Sequence, residues 1–263
     1  DAASLKVDPA QIPLYSQPTK ISMLGTSLVR ERRDNPADAS QGSFNTADVS
    51  VAARGMGSSA SFLRAFVQNS TFYALPRRMT FARSTRLGIQ SPLGKTTPND
   101  IPLPERFFAG GGMSLRGFAL NQAGPRDPVT GFPIGGQAML LFNQELRFPM
   151  KLPYMKGAVG GTVFYDAGNV FRQANRISLA LKPSAPVFST VTPNLCVSNC
   201  TNEMRYFSHT IGFGIRYATP IGPVRLDLAY QLNAPQILVP DGTGGQKLSR
   251  LPRFHFFFNI GSL

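Results

Sequence analysis

Strict two-residue alternation near the C-terminus constrains the fold of this chain most. Over 224–232, Val224, Leu226, Leu228, Tyr230 and Leu232 fall on one face, and Arg225, Asp227, Ala229 and Gln231 on the other. Successive side chains of an extended strand point to opposite faces, so period two means β-structure. The preceding segment repeats the pattern, with His209, Ile211, Phe213, Ile215 and Tyr217 set against Thr210, Gly212, Gly214, Arg216 and Ala218. Phe254, Phe256, Phe258 and Ile260 share a face in the last segment. Between the first two lies 219–223, a short turn whose Pro220 and Pro223 fit because the ladder is interrupted there. A soluble sandwich turns its large apolar residues inward and a membrane barrel turns them outward, so the apolar face alone does not decide between them. The 20 Phe and 7 Tyr, many near strand ends, favour a barrel with aromatic girdles, although Trp is absent.

The rest of the chain is consistent with that reading. No window reaches the roughly 18 unbroken apolar residues of a transmembrane helix, and the mean hydropathy is -0.08. A barrel hides its membrane signal in the alternation. The 25 Gly and 22 Pro argue for many tight turns between short elements. Strands are expected at 137–148, 158–171, 207–218, 223–232 and 253–261, and less regular ones at 21–32, 44–54, 62–73 and 79–90. On one face of 137–148 lie Asn143, Glu145 and Arg147; on one face of 158–171 lie Gly160, Thr162, Phe164 and Asp166. Short connections (74–78, 149–156, 219–223) alternate with long ones (91–136, 172–206, 233–252), as in a membrane barrel with tight turns on one side and long loops outside. Residues 1–18, with Pro9, Pro13 and Pro18, read as an irregular lead-in to a barrel portion at 19–263.

The 27 basic residues against 14 acidic ones leave a formal charge of +13. They form no block and accompany no zinc spacing, helix-turn-helix pattern or aromatic RNA-binding motif, which disfavours nucleic acid. Cys196 and Cys200 lie in a polar loop without neighbouring His, a poor metal site and a better local disulfide in an oxidising compartment. His209 and His255 stand on different strands without a nucleophile, so no catalytic residues, cofactor or metal are expected. The polar opening Asp1-Ala2-Ala3-Ser4 is no signal peptide, so the chain begins after processing or partway through a longer protein.

The stretch 105–118 contains three consecutive glycines, Gly110 to Gly112, then Leu115-Arg116-Gly117-Phe118. An arginine framed by apolar residues requires carboxylates if it is buried. The inferred lumen faces, lined by Asn143, Glu145 and Asp166, offer them in Glu145 and Asp166. Arg126, further along the loop, is expected to be exposed.

Four segments in order resemble the BamA/TamA-type outer-membrane assembly barrels. They are Arg106-Phe107-Phe108-Ala109-Gly110-Gly111 through Leu115-Arg116-Gly117-Phe118; Gly135-Gly136 through Asn143-Gln144-Glu145-Leu146-Arg147-Phe148-Pro149; 163–170 with Asp166-Ala167-Gly168-Asn169; and 212–223. The closing 256–261 extends the match. Each piece is weak alone, and the ordered set is specific. The resemblance implies about nine C-terminal strands of a sixteen-stranded antiparallel transmembrane β-barrel. It also implies a loop, 104–135, folded into the lumen, where Arg116, Gly117 and Phe118 meet Glu145 and Asp166. From the residues alone, Glu145 could instead pair with Arg147 or Arg216, and Asp166 could stabilise a turn. No POTRA-like βααββ segment precedes the strands, and the chain stops at Leu263, one residue short of the family's usual terminal aromatic. A portion of a longer protein is therefore expected.

The implied function is a bacterial outer-membrane assembly, insertion or translocation factor, without cofactor, offering a barrel seam to client strands. Implied partners are outer-membrane lipid, unfolded outer-membrane protein clients, and accessory lipoproteins or other assembly subunits. The alternative is a passive barrel, as a membrane anchor or secretion pore for a passenger domain. A soluble basic β-sandwich is a distant third.

Overall fold

The structure is a computed structural model describing residues 19–150, 159–190, 196–219, 222–240 and 246–261. The expected lead-in at 1–18 and the terminal Leu263 lie outside the described residues. Among the described residues thirteen strands follow one another: β1 (Met23–Glu31), β2 (Gly42–Ala52), β3 (Phe62–Leu75), β4 (Met79–Pro92), β5 (Ala138–Met150), β6 (Val159–Phe171), β7 (Val187–Phe188), β8 (Cys196–Ser198), β9 (Ser208–Tyr217), β10 (Val224–Gln231), β11 (Gln236–Pro240), β12 (Gln246–Arg250) and β13 (Phe254–Ile260). Nine of them form one sheet in the order β1-β2-β3-β4-β5-β6-β9-β10-β13, each antiparallel to its neighbour. The nine strands lie where alternation places them, to within two residues at most ends. The two-stranded hairpins β7–β8 and β11–β12 sit inside the long connections and were not expected, because strands of two to five residues show no periodicity.

The wall is inverted relative to a soluble protein. On β9, Ile211, Phe213 and Ile215 are exposed on one face while Thr210 and Arg216 are buried on the other. On β10, Leu226 and Leu228 are exposed while Arg225 and Asp227 are fully buried. Phe254, Phe256 and Phe258 on β13 are each more than 60% exposed. An apolar outer face over a charged inner one suits lipid outside and a filled lumen within. Aromatic contacts mark both ends of the outer face, with Tyr165, Phe207 and His209 clustered at one and Tyr73 stacked on Phe81 at the other. No helix among the described residues is long and apolar enough to cross a membrane.

From β3 onward the connections alternate as expected: those after β3, β5 and β9 are short and those after β4, β6 and β10 long. Those after β1 and β2, 32–41 and 53–61, are of similar length. The inner face of β5 changes character along its length. Met139 and Leu141 line it near the long-connection end, and Asn143, Glu145 and Arg147 toward the short-connection end. That gradient determines where the β4–β5 loop can place apolar and charged groups.

Candidate functional site

The β4–β5 loop folds back over the inner face of the sheet. Its apolar residues Phe107, Ala109, Leu115, Phe118 and Ala123 form one buried cluster with Met139, Leu141 and Val170 of the wall and Tyr206. Burial of Leu115 and Phe118, each at most 1% exposed, carries Arg116 between them to the charged part of the wall. Glycine is needed where the chains touch. A Cβ on Gly117 would lie 2.1 Å from Thr210 Oγ1 on β9, and one on Gly112 2.1 Å from Asn259 Nδ2 on β13. The loop thus reaches from β5 to the last strand.

Arg116 is 1% exposed and its guanidinium is fully engaged. Nε donates to Asp166 Oδ2 and Nη2 to Asp166 Oδ1, both at 2.7 Å, a planar fork on one carboxylate. Nη1 donates to Glu145 Oε1 at 2.7 Å. The backbone N–H of Arg116 also donates to Asp166, at 3.2 Å. Beneath it lies the ring of Phe164, its centroid 3.5 Å from the guanidinium carbon, a cation–π contact. Phe164 can lie there because its cross-strand neighbour on β9 is Gly212, where a Cβ would sit 2.3 Å from the ring. Asn143 holds the Asp166 carboxylate in place, donating to its Oδ1 at 2.9 Å and to Ser114 O at 2.7 Å.

The structure therefore brings Arg116, Glu145 and Asp166 together. Phe118 packs in the apolar cluster and Gly117 against β9. Glu145 also accepts from Arg147 Nε at 3.0 Å, so one carboxylate takes both the loop arginine and its strand neighbour. Arg216 instead reaches Asp38 in the β1–β2 connection, at 2.7 Å. Cys196 and Cys200 are disulfide-bonded, with Cα atoms 5.8 Å apart, in the β6–β9 connection. No group of metal-binding side chains occurs among the described residues.

Two further members of the cluster escaped sequence reasoning. Arg225 Nη2 donates to both Glu145 Oε1 and Asp227 Oδ2, each at 2.8 Å, and Asp227 Oδ2 stands 3.7 Å from Arg116 Nη1. The alternation of β10 places both residues on the polar face, but nothing local shows that this face meets Glu145 three strands away. One expectation is overturned. Arg126 is 5% exposed, not a surface residue, and its Nη1 and Nη2 donate to the carbonyls of Gly131 and Gln122. Burial pushes its guanidinium down to about 10, which leaves it charged at neutral pH. Pro125 and Pro128 make its surroundings look like a surface turn, whereas the loop encloses it.

Comparison with known proteins agrees with this fold. Aligned over 181 residues, the chain is 26% identical to the outer membrane protein assembly factor BamA of Neisseria meningitidis serogroup B, covering 67% of this chain and 22% of that protein. It is 29% identical over 208 residues to a SAM50-like protein of Schizosaccharomyces pombe, covering 78% of this chain and 39% of that one. The crystal structure of BamA from Haemophilus ducreyi lacking POTRA domains 1–3 superposes with a TM-score of 0.61 at 20% identity, over 89% of this chain and 41% of that one. The chain thus spans well under half the length of these proteins. The Omp85 superfamily domain matches residues 4–262, almost the whole sequence, and on that match the chain belongs to the Omp85 superfamily.

Proposed function

We propose that this chain is the wall and lumen-loop portion of a bacterial outer-membrane factor that inserts or translocates other barrel proteins. It works without covalent chemistry, in contact with outer-membrane lipid, unfolded clients and accessory lipoproteins or other assembly subunits. The observation that carries the reading is the clamp on the β4–β5 loop. Arg116 holds the loop tip against β5 and β6 through Glu145 and Asp166, while the loop touches β13 at Asn259. Among the described residues β13 is an edge strand of the sheet, hydrogen-bonded to β10. A client strand can pair with such an edge by β-augmentation. The relatives named as assembly factors support this reading, and the occupied inner face disfavours a passive open pore.

The test uses the full-length protein in liposomes, with insertion of an unfolded barrel client read by protease protection. Arg116→Ala leaves two buried carboxylates short of a partner, a loss of about 3–5 kcal/mol for a buried pair broken from one side. The expected outcome is loss of most insertion activity with strand content by circular dichroism unchanged. Full activity in that variant would sink the assignment. A large steady single-channel conductance in the unsubstituted protein would favour the passive pore instead.

A further inference from the structure

A second group of arginines lies at the short-connection end of the inner face. A cavity of about 240 Å³ opens there, lined by Arg78, Arg147 and Arg216 together with Ser40, Thr80 and Asp38. Three arginines line it against one carboxylate. Arg147 is committed elsewhere, through Nε to Glu145 and Nη1 to Ala39 O. Arg216 is not. It is only 7% exposed, its Nη2 reaches Asp38, and its Nε has no hydrogen-bond partner. Arg78 forms no ion pair among the described residues and is held at φ 59, a conformation that non-glycine residues rarely adopt.

Asp38 stands on the β1–β2 connection, 178 residues from Arg216 in sequence and 2.7 Å away in space. Its side chain is 39% exposed, so it occupies the rim and not the depth of the cavity. It also lies 3.8 Å from Arg147 Nη1. Its neighbour Ala39 packs on Phe72 and Ala82, which draws the connection across the mouth. Asp34 fixes the bend by accepting from the backbone N–H groups of Ser40 and Gln41.

We infer that this cavity is a binding site for a phosphate-class oxyanion, with Asp38 as its built-in stand-in. An arginine fork matches phosphate as it matches carboxylate, and the Thr80 hydroxyl adds a donor. A phosphate bound between Arg216 and Arg78 satisfies the vacant Nε and displaces the Asp38 carboxylate, freeing the β1–β2 connection from the mouth. The oxyanion comes either from a lipid headgroup at the bilayer border or from free phosphate in solution.

Isothermal titration of the full-length protein in non-ionic detergent separates these sources, using inorganic phosphate in one arm and monomeric dihexanoylphosphatidylglycerol in the other. Asp38→Asn removes the competing carboxylate and tightens binding roughly tenfold, about the worth of one charge-assisted hydrogen bond. Arg216→Gln abolishes binding. Arg78→Gln, on an exposed turn where folding is not at stake, weakens it. Binding of either probe with this order of variants upholds the site and identifies the source. Absence of binding by both probes to the unsubstituted protein and Asp38→Asn overturns it, as does unchanged affinity in Asp38→Asn or in Arg78→Gln.

Discussion

At the scale of single residues, the two arginines of the β4–β5 loop share a name and differ in chemistry. Arg116 meets carboxylates; Arg126 meets only carbonyls. Replacing Arg126 by Ala strands the Gly131 and Gln122 carbonyls, each buried unsatisfied acceptor being worth about 1–3 kcal/mol. We expect Arg126→Ala to speed protease cleavage within the loop while the Arg116 contacts persist; cleavage at the unsubstituted rate would show that those bonds hold nothing. Arg116 was legible because an arginine between Leu115 and Phe118 sits where a solvated charge does not belong. Glu145 and Asp166 were legible because period two puts them on polar faces. Arg225 and Asp227 met the same criterion, but β10 is separated from β5 by two strands, and alternation carries no information about which polar faces converge. Arg126 was misread because the prolines flanking its segment are the usual marks of an exposed turn.

At the scale of elements, the strands were legible and their decoration was not. The long strands announce themselves through alternation, whereas β7–β8 and β11–β12 are too short for any period to show. The Cys196–Cys200 bond belongs to this small structure: it ties β8 to the loop that follows and touches no strand of the wall. Closing so short a loop constrains the unfolded chain by about 2 kcal/mol at most. Reduction with dithiothreitol should therefore raise amide exchange in 187–200 and leave the heat-modifiable gel mobility of the wall unchanged. A shift in that mobility would mean that the β6–β9 connection braces the wall.

At the scale of the whole molecule, the inverted wall makes depth a measurable quantity. Phe213, 59% exposed near the middle of β9, faces outward beside Val163 and Leu228, its neighbours in register. Tyr217 ends the same strand. On the lipid face of a membrane barrel a lysine at mid-depth costs about 2–4 kcal/mol and one near the interface about 0–1. Urea unfolding in liposomes should reproduce that difference between Phe213→Lys and Tyr217→Lys. Equal effects at the two sites would mean that this face does not meet a bilayer. The barrel class was legible because apolar residues outside and charge inside appear together in one alternation, while the depth of each strand depends on tilt, which sequence does not specify.

The charge cluster has a consequence for how such a wall comes to be correct. Arg116, Arg147 and Arg225 balance Glu145, Asp166 and Asp227, and these six groups come from the loop and from three different strands. Sliding β6 by one residue against β5 turns Asp166 out of the lumen and leaves the cluster one carboxylate short. The ladder bonds of a slipped pairing are nearly as good as those of the true one, so they discriminate poorly between alignments. The loop discriminates well, because it seats only over a neutral sum. It acts as a checksum on strand alignment, read after the strands have met, and its closure reports that none of them has been laid down out of step.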